Sequence, residues 1–167
     1  IKVMDGGTLG IYLMNDIISS KKIILFDCCE LNEAPGTLKV LRNEDIKLWS
    51  NTKISPHQTG MNDVLATAYL EGYEPEAITV IGIQPFELND YGGSLSEVVK
   101  AQLEHSVELA QNEIQRWGYA LEPRLNQEDI ESLSSDALKI NPYETERPTE
   151  IQACRHGDVR FIKVIGQ

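Results

Sequence analysis

The sequence lacks long apolar stretches and has few cysteines. No window approaches the roughly 20 consecutive apolar residues of a bilayer-spanning helix, so no membrane insertion is expected. No basic segment precedes the strand-like first residues, as it would in a secretory signal peptide. The three cysteines (Cys28, Cys29 and Cys154) are odd in number and two are adjacent, which is not the pattern of a disulfide framework. We therefore expect a protein of a reducing compartment, the cytoplasm.

Positive charge is also scarce. The 167 residues include 15 Lys and Arg against 26 Asp and Glu, which gives a formal net charge of −11 and a pI near 4.7. Such a surface repels polyanions, so no nucleic-acid partner is expected. An acidic surface usually serves solubility, and it also suits docking onto a basic patch of another protein.

Two motifs of common hydrolases are absent. There is no His-Glu-x-x-His, which places two zinc ligands on one helical face, and no Gly-x-Ser-x-Gly, the turn that carries a serine nucleophile. Cys28 follows Asp27, whose carboxylate would raise the thiol pKa and disfavour a thiolate nucleophile. We interpret Cys28 and Cys29 as small buried residues, with thiols beside a metal as the lesser alternative.

The hydrophobic pattern predicts an α/β fold. Strands are predicted at Ile1–Met4, Ile23–Phe26 (covered on both faces), Thr37–Arg42 and Ile78–Ile83, and helices at residues 8–20, 61–72 and 94–117. The first strand, helix and second strand would form a parallel, right-handed βαβ unit. The loop before residue 37 is too short for a helical crossover, so Thr37–Arg42 is predicted to be an antiparallel edge strand. Together these elements predict a three-layer α/β/α sandwich with a mostly parallel sheet.

The chain is expected to consist of a core domain, residues 1–120, and an extension, residues 121–167. Gly118 is placed as the glycine that ends the last helix. Residues 126–150 contain seven acidic and two basic residues, which favours a loosely ordered segment. Val159–Ile165 has a strand-like pattern, compatible with folding back or with contact to a partner.

Two residues are candidates for chemistry at the carboxyl edge of the sheet, where parallel sheets bind ligands. Asp27 ends an apolar strand, and a carboxylate there needs a cation or hydrogen-bond donors. His57 precedes a predicted helix, and neutral imidazole is a common metal ligand. The alternatives are a loop cap for Asp27 and a surface histidine for His57. Two ligands would also leave a metal site incomplete.

Glycine turns before helices are candidate rim loops. Asp5, Gly6, Gly7 and Thr8 form one such turn, and Tyr91-Gly92-Gly93-Ser94 forms another. A helix N-terminus binds anions, so a generic α/β domain that binds a small anion is one alternative. That alternative does not explain the pairing of Asp27 with His57.

Several segments, in this order, resemble the nickel–iron hydrogenase maturation endopeptidases. They are Asp5-Gly6-Gly7-Thr8, the strand ending at Asp27, Pro35-Gly36-Thr37, Ser55-Pro56-His57-Gln58, the strand closing on Gln84-Pro85, and Asp90-Tyr91-Gly92-Gly93-Ser94-Leu95-Ser96. The resemblance covers roughly residues 1–118. The last segment is similar to the subgroup serving membrane-bound uptake hydrogenases.

The resemblance implies an endopeptidase that removes the C-terminal extension of a nickel-loaded large-subunit precursor. Nickel arrives with this precursor, and no organic cofactor is implied. Asp27 matches the family's aspartate ligand and His57 its histidine ligand. The third ligand is a glutamate in a Gly-x-Gly-Asn-x-Leu-x-x-Asp-Glu motif that this sequence lacks. We therefore expect the family's first strand and helix to be missing, with apolar surface exposed and activity impaired.

Two matters stay open at the level of sequence. A carboxylate and an imidazole suit nickel and would equally bind zinc, and the metal is either catalytic or a recognition element. The alternative function is a non-catalytic module that checks for nickel or acts as a chaperone, docking the same precursor without cutting it.

Overall fold

A computed structural model describes residues 1–4, 6, 10–43, 45–46, 56–87, 95–123 and 145, with only the backbone described for residues 56–60 and 62. The chain divides into two compact units, residues 1–86 with 96–130, and residues 87–95 with 131–167. All the helices and strands below belong to the first unit. The predicted extension, residues 121–167, lies almost entirely outside the described residues and stays a prediction.

Helices and strands of the first unit follow one another in a mixed order. A 3₁₀ turn at Gly10–Leu13 leads into α1 (Met14–Ile18), followed by β1 (Lys22–Cys28), β2 (Leu38–Arg42), α2 (Pro56–Leu70), β3 (Ala77–Ile83), α3 (Glu97–Lys100) and α4 (Leu103–Arg116). None of the helices in the described ranges has the length and apolar character needed to cross a membrane.

The three described strands form one sheet in the order β1-β3-β2. β1 and β3 are parallel, with Lys22 opposite Ala77 and Cys28 opposite Ile83. β2 is antiparallel to β3, with Leu38 opposite Ile83. The predicted antiparallel edge strand is therefore confirmed, and so is the α/β class.

One face of the sheet packs against α1 and α2. The buried cluster there comprises Leu13, Ile17, Ile23, Val64 and Ala68. Val64 and Ala68 are four residues apart, so they lie on the same face of α2. Each large aliphatic side chain buried here contributes about 1.5–3 kcal/mol relative to exposure. Gly72, at φ +84°, ends the helix in the left-handed conformation that favours glycine.

The opposite face is tied to α4 through one buried carboxylate. The Glu113 side chain is 1% exposed and accepts five hydrogen bonds. Arg42 donates two of them at 3.0 and 2.8 Å, Arg116 donates two at 3.1 and 2.6 Å, and the Thr79 hydroxyl donates one at 2.8 Å. Burial by itself would raise the pKa of Glu113, but these hydrogen bonds and the Arg42 charge lower it to about 2.

The prediction of a strand at Ile1–Met4 is wrong. These residues have no regular secondary structure, and the side chains of Ile1 and Val3 are 93% and 55% exposed. Strand formation requires a paired neighbour, and no described strand pairs with this segment. Residues 1–28 therefore do not form the predicted βαβ unit.

The strand that ends at Phe26 is predicted to be covered on both faces. This residue is 56% exposed, so the predicted cover on both faces is wrong at this end of the strand. Val98, Leu103 and Val107, from the predicted apolar face of the last helix, are also 39–51% exposed. These four apolar side chains are therefore exposed among the described residues.

The predicted helix at 94–117 is two helices. α3 ends at Lys100, and the amide of Gln102 bonds back only three residues, to the Val99 carbonyl at 3.0 Å. That tighter turn separates α3 from α4. α3 begins at Glu97, after Ser96, whose side chain makes no capping hydrogen bond, whereas the predicted start at residue 94 lies outside the described residues.

Candidate active site

Asp27 lies at the carboxyl end of β1, one residue before its last. It pairs with Gly82 of the parallel neighbour β3 and is partly buried. Because side chains alternate along a strand, Asp27 shares the sheet face of Ile23 and Leu25. Leu25 packs against the cluster built with α2. Asp27 is therefore on the face that α2 covers.

α2 runs antiparallel to β1. Beyond its C-terminal end, the Tyr73 hydroxyl donates to the Ser20 carbonyl, and the Glu76 amide donates to the Lys21 carbonyl at 2.8 Å. These contacts hold the end of α2 beside the start of β1. α2 is about 21 Å long and β1 is about 20 Å long. The N-terminal end of α2 therefore lies at about the same height as the C-terminal end of β1.

His57 is the second residue of α2, at the helix end directed to the carboxyl edge of the sheet. Its backbone therefore belongs to the edge that carries Asp27. The His57 side chain lies outside the described residues, so its pairing with Asp27 stays a prediction.

Gln84 organises the loop that follows Asp27. It is 6% exposed and stands one residue beyond the end of β3. Its side-chain Oε1 accepts hydrogen bonds from the amides of Leu31 at 2.7 Å and Glu33 at 3.4 Å. Its backbone carbonyl accepts from the Gly36 amide at 2.8 Å, and its amide donates to the Thr37 carbonyl at 2.9 Å. Both halves of this loop are therefore held by one residue.

Gly82 makes room for the chain as it leaves β1. A Cβ atom at Gly82 would lie 2.6 Å from the Cys29 Sγ and 3.1 Å from the Cys29 Cβ. Any side chain there would displace Cys29, whose side chain is fully buried. The glycine beside Asp27 is thus required by packing.

The two adjacent cysteines have different environments. Cys29 is buried, as predicted, whereas Cys28 is exposed, so the prediction of a buried Cys28 is wrong. The reason is strand alternation, which turns Cys28 to the face where Phe26 is also exposed. Desolvation and the Asp27 carboxylate raise the pKa of both thiols, that of Cys29 to about 12. Neither thiol is therefore suited to act as a nucleophile.

Some predicted rim residues cannot be compared. Asp5, Gly7 and Thr8, together with the second glycine turn at 91–94, lie outside the described residues. Gly6 is described and is partly buried near Leu13. Within the described part of the chain, no three His, Cys, Asp or Glu side chains are grouped to hold a metal. The His57 side chain is outside that part.

Gln84 and Glu113 are difficult to identify as buried anchors from sequence alone. Gln84 stood out only as the polar residue between an apolar strand and Pro85, and its loop contacts are more than 50 positions away in the chain. Glu113 is an acidic residue in an otherwise apolar helical stripe. Neither position indicated a buried polar anchor without the coordinates.

Comparisons with known proteins agree on one family. A family model described as hydrogenase maturation protease matches residues 1–113. The hydrogenase expression/formation protein HupM of Azotobacter chroococcum mcd 1 is 43% identical, with 100% of this chain and 79% of the relative covered. The hydrogenase 2 maturation protease of Escherichia coli K12 is 33% identical, covering 74% and 76% respectively.

A solved structure shares the fold. The hydrogenase maturating endopeptidase HybD from E. coli superposes with a TM-score of 0.62 at 32% sequence identity. The match covers 69% of this chain and 71% of the solved chain.

Proposed function

This chain belongs to the hydrogenase maturation protease family, and we propose from that premise how Asp27 and His57 take part in its reaction. The family cleaves the C-terminus of the hydrogenase large subunit, so the chain is an endopeptidase of this class. Its substrate is a large-subunit precursor. The similarity to HupM over the whole chain favours the uptake-hydrogenase subgroup.

We propose that nickel carried by the precursor is gripped by the Asp27 carboxylate and the His57 imidazole. The supporting observation is the position of Asp27 at the carboxyl end of β1, on the sheet face covered by α2, whose second residue is His57. A carboxylate and an imidazole are suitable ligands for nickel. Asp27 and His57 would supply two protein ligands, and the resemblance to the family implies a glutamate as the third.

This arrangement makes cleavage conditional on metal loading. A precursor without nickel offers nothing for Asp27 and His57 to bind, so its scissile bond is not positioned. A nickel-loaded precursor is held at the site through the metal. This contact orients its scissile peptide bond for hydrolysis. We place this reaction in the cytoplasm, in keeping with the two free thiols at Cys28 and Cys29.

Two substitutions, each made in the full-length protein, test the roles of the proposed ligands. Asp27→Asn and His57→Ala are assayed on nickel-loaded precursor by the mass change of the large subunit. Each should reduce cleavage on the order of 100-fold or more, because misplacing a bound substrate costs about that much. Asp63→Asn, at an exposed position of α2, and His105→Ala, at an exposed position of α4, are matched controls that should cleave normally.

The same assay separates the competing function. Nickel-free precursor should remain uncut by the unaltered protein. Undiminished cleavage by His57→Ala or Asp27→Asn would refute the ligand assignment. A stable complex that is never cleaved would instead support the non-catalytic docking module.

A further inference from the structure

We propose that Gln84 is a positioning residue for the cleavage reaction, holding the Cys29–Thr37 loop against the end of β3 so that the Asp27 carboxylate keeps a fixed direction. This inference rests on the proposed function of Asp27. The inference goes beyond that function by assigning a role to a residue that is not one of the proposed nickel ligands.

Among the described residues, few hydrogen bonds other than those to Gln84 tie the loop backbone to this end of the sheet. The β1–β3 ladder continues by one bond past the strands, from the Cys29 amide to the Ile83 carbonyl at 2.9 Å. From Leu31 onward, the described hydrogen bonds that join the loop to the end of β3 are made to Gln84. Gln84 thus takes over where the regular sheet ends.

The side-chain oxygen of Gln84 makes contacts that the backbone cannot replace. Its Oε1 accepts hydrogen bonds from two loop amides. The backbone hydrogen bonds to Gly36 and Thr37 do not depend on the side chain, and any residue could make both of them except proline, which lacks the amide hydrogen. The side chain is buried, so a loop amide left without this acceptor must find another partner or open the loop to water.

Asp27 is held from both sides of this arrangement. It is paired with Gly82 in the sheet, and two residues later Cys29 is locked into the space that Gly82 leaves. The Gln84 bonds then fix the path beyond Cys29. A shift of the loop would rotate the end of β1, and displacements of about 1 Å from a productive geometry lower rates by as much as 100-fold.

The first experiment removes the acceptor while keeping the size of the side chain. Gln84→Met should lower kcat on nickel-loaded precursor about 10-fold or more, with KM changed less than about threefold, because binding energy persists while alignment is lost. Gln111→Met, the same change at an exposed position of α4, is the control and should be fully active.

The second experiment asks whether Gln84 acts through Asp27. Asp27→Glu keeps a carboxylate in a displaced position and retains measurable activity for a double-mutant cycle. If Gln84 serves to direct Asp27, adding Gln84→Met to Asp27→Glu should cost less than about threefold further. Amide exchange at Leu31 should be accelerated in folded Gln84→Met, which reports the opened loop. Gln84→Ala removes the same acceptor and replaces Gln84→Met if that variant does not fold.

Clear results would overturn this role. Normal kcat in folded Gln84→Met, or fully multiplicative losses when it is combined with Asp27→Glu, would each reject it. An active Asp27→Asn variant would reject the proposed function itself. An inactive Asp27→Asn together with an active Gln84→Met would reject the positioning role alone.

Discussion

The Glu113 cluster provides the sharpest quantitative prediction, because one buried carboxylate joins α4 to two strands. Glu113→Gln keeps the shape of the side chain but removes its charge. The amide has one acceptor oxygen where the carboxylate has two, so some of the five hydrogen bonds must be lost. The pKa of the carboxyl provides a measure of what the charge contributes.

Lowering the pKa of Glu113 from 4.5 to about 2 corresponds to about 3 kcal/mol of added stability for the ionised form. Arg42 and Arg116 are 41% and 54% exposed, so solvent screens part of this interaction. We therefore expect Glu113→Gln to lower the free energy of unfolding by about 2 kcal/mol at neutral pH. Glu108→Gln removes an exposed carboxylate on the same helix and should cost about 0.5 kcal/mol or less.

Urea unfolding followed by circular dichroism measures both variants against the unaltered protein. Because the folded-state pKa of Glu113 is depressed, its contribution is complete above pH 4.5 and is lost as the pH falls toward 2. The difference between Glu113→Gln and the unaltered protein should accordingly shrink by about half between pH 7 and pH 3. Equal stabilities of the Glu113→Gln and Glu108→Gln variants, or a gap that does not change with pH, would refute the reasoning.

Two further predictions concern the loop and the thiols near Asp27. Gly36 and Gly72 both have φ +84°, but a Cβ at Gly36 would lie 2.9 Å from the Val98 carbonyl oxygen, whereas Gly72 has open space. In thermal unfolding, Gly72→Ala should lower the free energy of unfolding by about 1 kcal/mol because of backbone strain. Gly36→Ala should lower it by at least about 1 kcal/mol more because of the close contact. Equal losses for the two variants would contradict the close approach. Iodoacetamide labelling at pH 8 with peptide mapping should modify Cys28 slowly and Cys29 only after denaturation, and early labelling of Cys29 would contradict its burial.

The elements that sequence predicted well are those with local causes. The strand at 78–83 and the antiparallel strand near 38–42 follow from apolar runs and from a short connecting loop, and both are confirmed. Residues 1–4 have an equally strand-like composition but no described partner strand, so composition alone was misleading there. Pairing is a property of the sheet, and a single segment does not encode it.

Sequence identified only those candidate site residues that could be recognised from their position at the end of a predicted strand or helix. Asp27 was identified because it ends an apolar strand, and the structure places it at the carboxyl end of β1. The long-range contacts of Gln84 and Glu113 join residues from 34 to 71 positions apart, so they depend on the register of β3 with its two neighbours. No periodicity in the sequence carries that information.

The strand order β1-β3-β2 also determines when the sheet can form during protein synthesis. The middle strand comes last in the chain, so β1 and β2, although translated first, have no described neighbour in the sheet until Ala77–Ile83 has left the ribosome. Gln84 emerges immediately after that strand, and only then does the loop beyond Asp27 acquire its anchor. A nascent chain paused before residue 77 would hold its early strands unpaired, which is when an aggregation-preventing chaperone would have most effect.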